Sequence, residues 1–126
     1  MKLHMPVPPG ELIDRITILK VKLFFITDKK KRKNIESYLS ELMEIRNMLK
    51  KQSARLRELE RKLEEVNKKQ WEIEDAIRTH LKKHGADKTF GALVKSLHKS
   101  NDRRVAIKRM IDKYLESEIL EEKQYA

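Results

Sequence analysis

IESYLSELMEIRNMLKKQSARLRELERKLEEVNKKQWEIEDAIRTH, residues 35–80, is the stretch whose pattern decides the fold. Within it Ile35, Tyr38, Leu42, Ile45, Leu49, Gln52, Leu56, Leu59, Leu63, Val66, Gln70, Ile73, Ile77 and His80 recur at alternating intervals of three and four. That spacing lines them up along one side of an α-helix as a heptad-like seam. No Gly or Pro lies between Gly10 and Gly85, so one long helix is the simpler reading. Continued to Gly85 it would reach about 75 Å at 1.5 Å per residue. Its seam would then need a second chain, giving a homodimeric coiled coil. The alternative folds two helices antiparallel, with a bend near Gln52 and Ser53 where the seam turns polar.

Outward from this stretch the rest of the chain also reads as helix. Pro6, Pro8 and Pro9 stiffen an extended arm, residues 1–10, that leads through Gly10 into a first helix from Glu11 to Ile26. Thr27 and Asp28 mark a stop and an N-cap for the next. A last helix spans Thr89 to Leu115, with an interruption at Ser100-Asn101-Asp102 as the alternative, and 117–126 form a short acidic tail. The 126 residues hold one core and are too few for two ordinary domains. Three Gly, three Pro and 40% charged residues disfavour a sandwich, a barrel or a disordered chain. The expected architecture is therefore all-α, three to four helices in a single domain, including one long coiled-coil-like helix or a helical hairpin.

Composition narrows the function classes. The absence of Cys removes disulfides, thiolate metal sites and a cysteine nucleophile, and suits a reducing compartment. No signal-peptide run or spanning segment is read, because Asp14, Arg15, Lys20 and Lys22 interrupt the apolar stretch of the first helix. The expectation is a cytoplasmic protein without membrane contact. The net charge of +10 is concentrated in Lys29–Lys33 and in residues 95–113, whereas residues 54–78 balance seven basic against seven acidic side chains. Such patches suit a phosphate backbone or an acidic partner. The 29–33 run has no aromatic neighbour to stack a base, so a solvated turn is the favoured reading over nucleic acid.

Four groups of side chains are candidates for a site. Lys20 projects between Ile13 and Ile16 on a helix that is apolar on nearly every bearing, and a buried ammonium needs a carboxylate, for which Glu74 and Asp75 are the candidates. Asn67, Trp71, Glu74 and Arg78 form one stripe beside the seam, with Asp75 flanking it. The plainer role for the stripe is packing of the indole against a neighbouring helix with an ordinary Glu74–Arg78 pair. Asn101, Arg103 and Arg104, followed by Lys108, would make an anion site if Ser100 or Asn101 capped a helix. If the helix runs through, Asn101 becomes an interior amide on the seam of Phe90, Leu93 or Val94, and Leu97. Glu41-x-x-Glu44 with Glu72-x-x-Asp75 has the form of the carboxylate pairs that hold Mg²⁺ in all-helical nucleotide pyrophosphohydrolases. Fourteen glutamates make that match cheap. His80 and His84 lack a third metal ligand, so helix-end dipole complements are the plainer reading. No nucleophile pair, glycine-rich phosphate loop or cofactor motif is present.

The blocks Gly10-Glu11-Leu12-Ile13-Asp14-Arg15-Ile16-Thr17-Ile18-Leu19-Lys20, Asn67 with Trp71–Asp75 and Ile77-Arg78, Asn101–Arg104 with Ile107-Lys108-Arg109, and Glu121-Glu122-Lys123 with Tyr125 resemble a small all-helical family of uncharacterised function in bacteria and phages. The resemblance spans nearly the whole chain and implies no activity, cofactor or catalytic residue. Its occurrence near glycan and nucleotide-sugar genes points to a sugar or nucleotide ligand. The expected function is a non-catalytic binding or assembly module. Its site would be built from Lys20, Asn67, Trp71, Glu74, Asp75, Arg78, Asn101, Arg103, Arg104 and Lys108, for an anionic small molecule or an acidic peptide. The alternatives are a nucleic-acid-binding protein and a Mg²⁺-dependent pyrophosphohydrolase.

Overall fold

The computed structural model describes residues 1–49, 53–119 and 121–122. Gln52, Lys123, Tyr125 and half of the acidic tail lie outside the described residues. The chain is all-α, with α1 Pro9–Phe25, α2 Lys29–Asn47, α3 Ala54–His84 and α4 Lys88–Tyr114. Among the described residues no helix is long and apolar enough to cross a membrane.

Three of the four helices start where the sequence supplies a side-chain partner for orphan N–H groups. Pro9 opens α1 with its fixed φ and no N–H to satisfy. Asp28 caps α2 by accepting from the Lys31 N–H at 2.9 Å, as its position suggests. Ser53 Oγ accepts from the Leu56 N–H at 3.2 Å and caps α3. Gly85, at φ 72°, ends α3 in a conformation few other residues adopt, and Asp87 caps α4 through the Phe90 N–H at 3.0 Å.

The continuous helix expected across residues 35–80 is two helices. α2 stops at Asn47 and α3 restarts at Ala54. Ser53 makes the restart cheap, because its hydroxyl replaces a missing helical acceptor. Folding back then buries Leu56, Leu59, Leu63 and Val66 inside the same chain. That covers the middle of the seam, while Tyr38 and Ile45 of α2 stay exposed. α1 is the central element and packs on α2, α3 and α4, while α3 packs on α4. The core joins Leu12, Ile13 and Ile16 of α1 to Leu56, Leu59, Leu63 and Val66 of α3 and to Ile107 and Ile111 of α4, with Leu39, Leu42 and Met43 of α2 leaning on it.

α4 runs without interruption through Ser100, Asn101 and Asp102. The second helix start that would have made Asn101 a cap therefore does not exist, because the N–H groups there are spent within the helix. In the 29–33 run Arg32 turns inward and donates to the carbonyls of Leu23 and of Ile26, the latter at 2.8 Å, tying off the end of α1. Arg109 donates to the Glu121 carbonyl at 2.8 Å and meets the Glu122 carboxylate at 3.3 Å, so the described part of the tail lies on the basic stripe of α4.

Candidate functional site

The charge that this fold buries is Asp14, not Lys20. Asp14 is 0% exposed, whereas Lys20 lies on the surface. Both interrupt an apolar helix, and bearing alone does not say which of them faces another helix. Leu19 and Val21, on either side of Lys20, are buried, so its exposure follows from its bearing, about 120° around α1 from Asp14. The expected pairing of Lys20 with Glu74 or Asp75 does not form.

The Asp14 carboxylate is satisfied from two other helices. Arg104 on α4 donates through Nε to Oδ1 at 3.0 Å and through Nη2 to Oδ2, a forked pair. Asn67 on α3 donates from Nδ2 to Oδ1 at 3.0 Å and to Thr17 Oγ1 at 2.8 Å. Thr17 in turn donates to the Asp14 carbonyl at 2.8 Å. Lys108, one turn after Arg104, lies 2.7 Å from Glu11 Oε2 and 3.8 Å from Asp14 Oδ2. Two carboxylates and two cations thus neutralise one another, which is what makes burial tolerable in low dielectric. The bond to Asp14 also raises the Arg104 pKa above its usual value against the opposing effect of burial, with Glu11 and Glu74 adding to it.

Gly10 lets the start of α1 come this close to α4. A Cβ there would sit 2.5 Å from the Lys108 carbonyl oxygen and 2.8 Å from Asp112 Oδ1. The Gly10 N–H, an orphan of the first turn, donates to Asp112 Oδ1 at 2.6 Å. Burial pushes the Asp112 carboxyl above the usual range, partly opposed by that N–H; Glu121 also raises it, Lys108 lowers it, and Glu11 raises it again.

Arg104 stands between two small clefts. One, about 220 Å³, opens between α1, α3 and α4 and is bordered by Lys22, Asn67, Gln70, Trp71, Glu74 and Arg104. The other, about 170 Å³, lies toward α2 and is bordered by Glu11, Arg15, Tyr38 and again Lys22 and Arg104. Trp71 stacks on Phe25, the last residue of α1, with ring centres 5.3 Å apart and planes within 4°. Gln70 Oε1 is buried there without a hydrogen-bond partner.

The fold brings Asn67, Trp71, Glu74, Arg104 and Lys108 together, and Asn101 joins them through a 3.4 Å bond from Arg104 Nη1. It separates the rest. Arg78 lies past the end of α1 and is exposed. Asp75 faces a shallow hollow on the other side of α3 with Thr79 and His80. Arg103 projects about 100° around α4 from Arg104 and borders a groove on the far side, so the two guanidinium groups do not converge. Glu41 and Glu44 on α2 do not meet Glu72 and Asp75 on α3: among the described residues no group of three or more His, Asp or Glu is placed to hold a metal ion. His80 packs on His84 and bonds Asp87 at 2.6 Å, serving the turn between α3 and α4.

Asp14, Glu11, Thr17 and Asp112 are members of the network that sequence reasoning did not single out. Asp14 carried the same signal as Lys20, a charge on an all-round apolar helix. Gln70 carried another, an amide between Val66 and Ile73 on the seam.

The match of this chain to a known family covers residues 1–126. The chain belongs to DUF6165, a family of unknown function. No curated protein and no solved structure matches it.

Proposed function

We propose that this protein is a non-catalytic helical binding module, acting in the cytoplasm, whose cleft beside Arg104 takes a small anionic molecule of the phosphorylated-sugar type. The observation that carries the reading is Gln70 Oε1, a buried acceptor without a donor in a cleft bordered by Lys22, Arg104 and Glu74. An orphaned acceptor of this kind costs about 1–3 kcal/mol, and a ligand hydroxyl would recover it. Lys22 and the one Arg104 nitrogen that Asp14 does not hold supply the positive end, while Gln70 and Glu74 supply acceptors for hydroxyls at the other. Trp71 gives the apolar wall that polyol rings stack upon. The charge network behind the cleft fixes Arg104 in place before any ligand arrives, which lowers the ordering cost of binding.

Calorimetric titration of a panel of hexose phosphates against wild type, Gln70→Leu and Lys22→Ala tests this. Both variants should fold normally and lose about tenfold or more in affinity, corresponding to roughly 1.4 kcal/mol. Equal affinities for all three proteins, or no binding by wild type at millimolar ligand, would sink it.

A further inference from the structure

We infer that the protein carries a second anion site, in the groove between α3 and α4 that Arg103 borders, suited to a phosphate monoester with an apolar body. The groove has a volume of about 470 Å³. Its floor is apolar, with Val66, Ile73 and Leu93, and its rim carries Lys69 from α3 and Lys99 and Arg103 from α4. Among the described residues no carboxylate pairs with these three cations, and the one acid on the rim, Glu65, is held by Arg61 on its own helix. Lys99 and Arg103 are four residues apart on one helix face, an arrangement of like charges that slightly disfavours the helix and that a bound anion would relieve.

The independent sign of a ligand is Ser100. It is 8% exposed, lines this groove, and its Oγ has no hydrogen-bond partner. Buried hydroxyls in native proteins are almost always paired. Ser96, Ser100 and Arg103 fall at i, i+4 and i+7, so two hydroxyls and a guanidinium fork line one stripe of α4. Lys69 faces them across the groove. Phosphate accepts from several such donors at once, and the guanidinium fork matches two of its oxygens. The apolar floor then favours a monoester over inorganic phosphate, because the body of the ester is removed from water there.

The probes are phenyl phosphate and inorganic phosphate, titrated into the full chain by amide chemical-shift mapping with thermal melts run in parallel. Phenyl phosphate is expected to bind more tightly than inorganic phosphate and to shift Lys69, Ser96, Ser100 and Arg103. Its affinity should fall at least tenfold in Arg103→Ala and several-fold in Ser100→Ala, and stay unchanged in Gln70→Leu, which touches only the cleft beside Arg104. Ser100→Ala should melt no lower than wild type, since it deletes an unpartnered hydroxyl, so its loss of binding would not reflect misfolding. Affinity unaffected by Arg103→Ala, or equal for the two phosphates, overturns the inference. So does oligonucleotide binding that outcompetes phenyl phosphate in the groove and collapses when Lys29–Lys33 are neutralised.

Discussion

Asp14 is the residue on which the arrangement of three helices turns. An ionised carboxylate with no exposed surface is strongly unfavourable alone, and Arg104, Asn67 and Lys108 together make it acceptable. Removing one partner should cost more than removing the pair. Arg104→Met is expected to lower stability by about 3–5 kcal/mol in urea denaturation, and the double change Asp14→Leu with Arg104→Met should recover much of that loss. Lys20→Ala, on the exposed face, should stay within about 0.5 kcal/mol of wild type. A Lys20→Ala loss as large as that of Arg104→Met would contradict the assignment of the buried charge. Asp112 yields a pH prediction. Its carboxyl is raised above its ordinary value of 3.8 by burial, so folding favours its protonated form. That contribution is fully present below the ordinary value and is lost as pH rises through the folded value. Asp112→Asn keeps an acceptor for the Gly10 N–H without the charge. Its stability relative to wild type should therefore improve as pH rises from about 3.8 toward neutrality, a trend that denaturation curves at a series of pH values would show.

At the scale of the element, α3 changes character along its length. Its buried residues lie between Leu56 and Asn67, and those of α4 between Ser100 and Asp112. Beyond them the two helices pack chiefly on each other as far as Gly85, and Ile73, Ile77, Leu93 and Leu97 are only half-buried. Stability should follow that gradient. Leu63→Ala is expected to cost about 2–5 kcal/mol, as for a fully enclosed leucine, and Ile77→Ala clearly less. Amide exchange should be slowest in residues 56–67 and faster toward residues 77–84. Uniform protection along α3 would argue against a two-helix projection. The start of α3 rests on Ser53, so Ser53→Ala should cost about 1 kcal/mol, with Ser53→Asp restoring most of it.

For the whole molecule the central placement of α1 explains how so charged a chain keeps a core. One strongly apolar helix faces three amphipathic ones, and α2, which has no buried residue, covers it on one side. Because folding back covers the seam of residues 56–66 internally, the length of the seam no longer requires a second copy. Light scattering should give a mass near 15.1 kDa across micromolar dilution. A stable dimer would mean that copies meet through another surface, for which the half-buried distal parts of α3 and α4 would be the first candidate. The net charge of +10 also favours separation of copies through mutual repulsion at low salt.

Periodicity, caps and composition determined the helical class of this protein, the stop at Gly85, the cap at Asp28 and the stripe of Asn67, Trp71 and Glu74, because these are properties of single helices and their ends. Whether residues 35–80 ran on or folded back was not such a property. Ser53 serves as a cap only when burial of Leu56, Leu59 and Leu63 in the same chain repays the break. The identity of the buried charge was equally a tertiary matter: Asp14 and Lys20 both interrupt an apolar helix, and only the placement of Arg104 and Asn67 opposite one of them decides which enters the core. Arg103 and Arg104 are neighbours in sequence yet serve different faces of α4, since a continuous helix turns them about 100° apart. Local pattern specifies direction along and around a helix, but what stands opposite is set by the packing of elements distant in sequence.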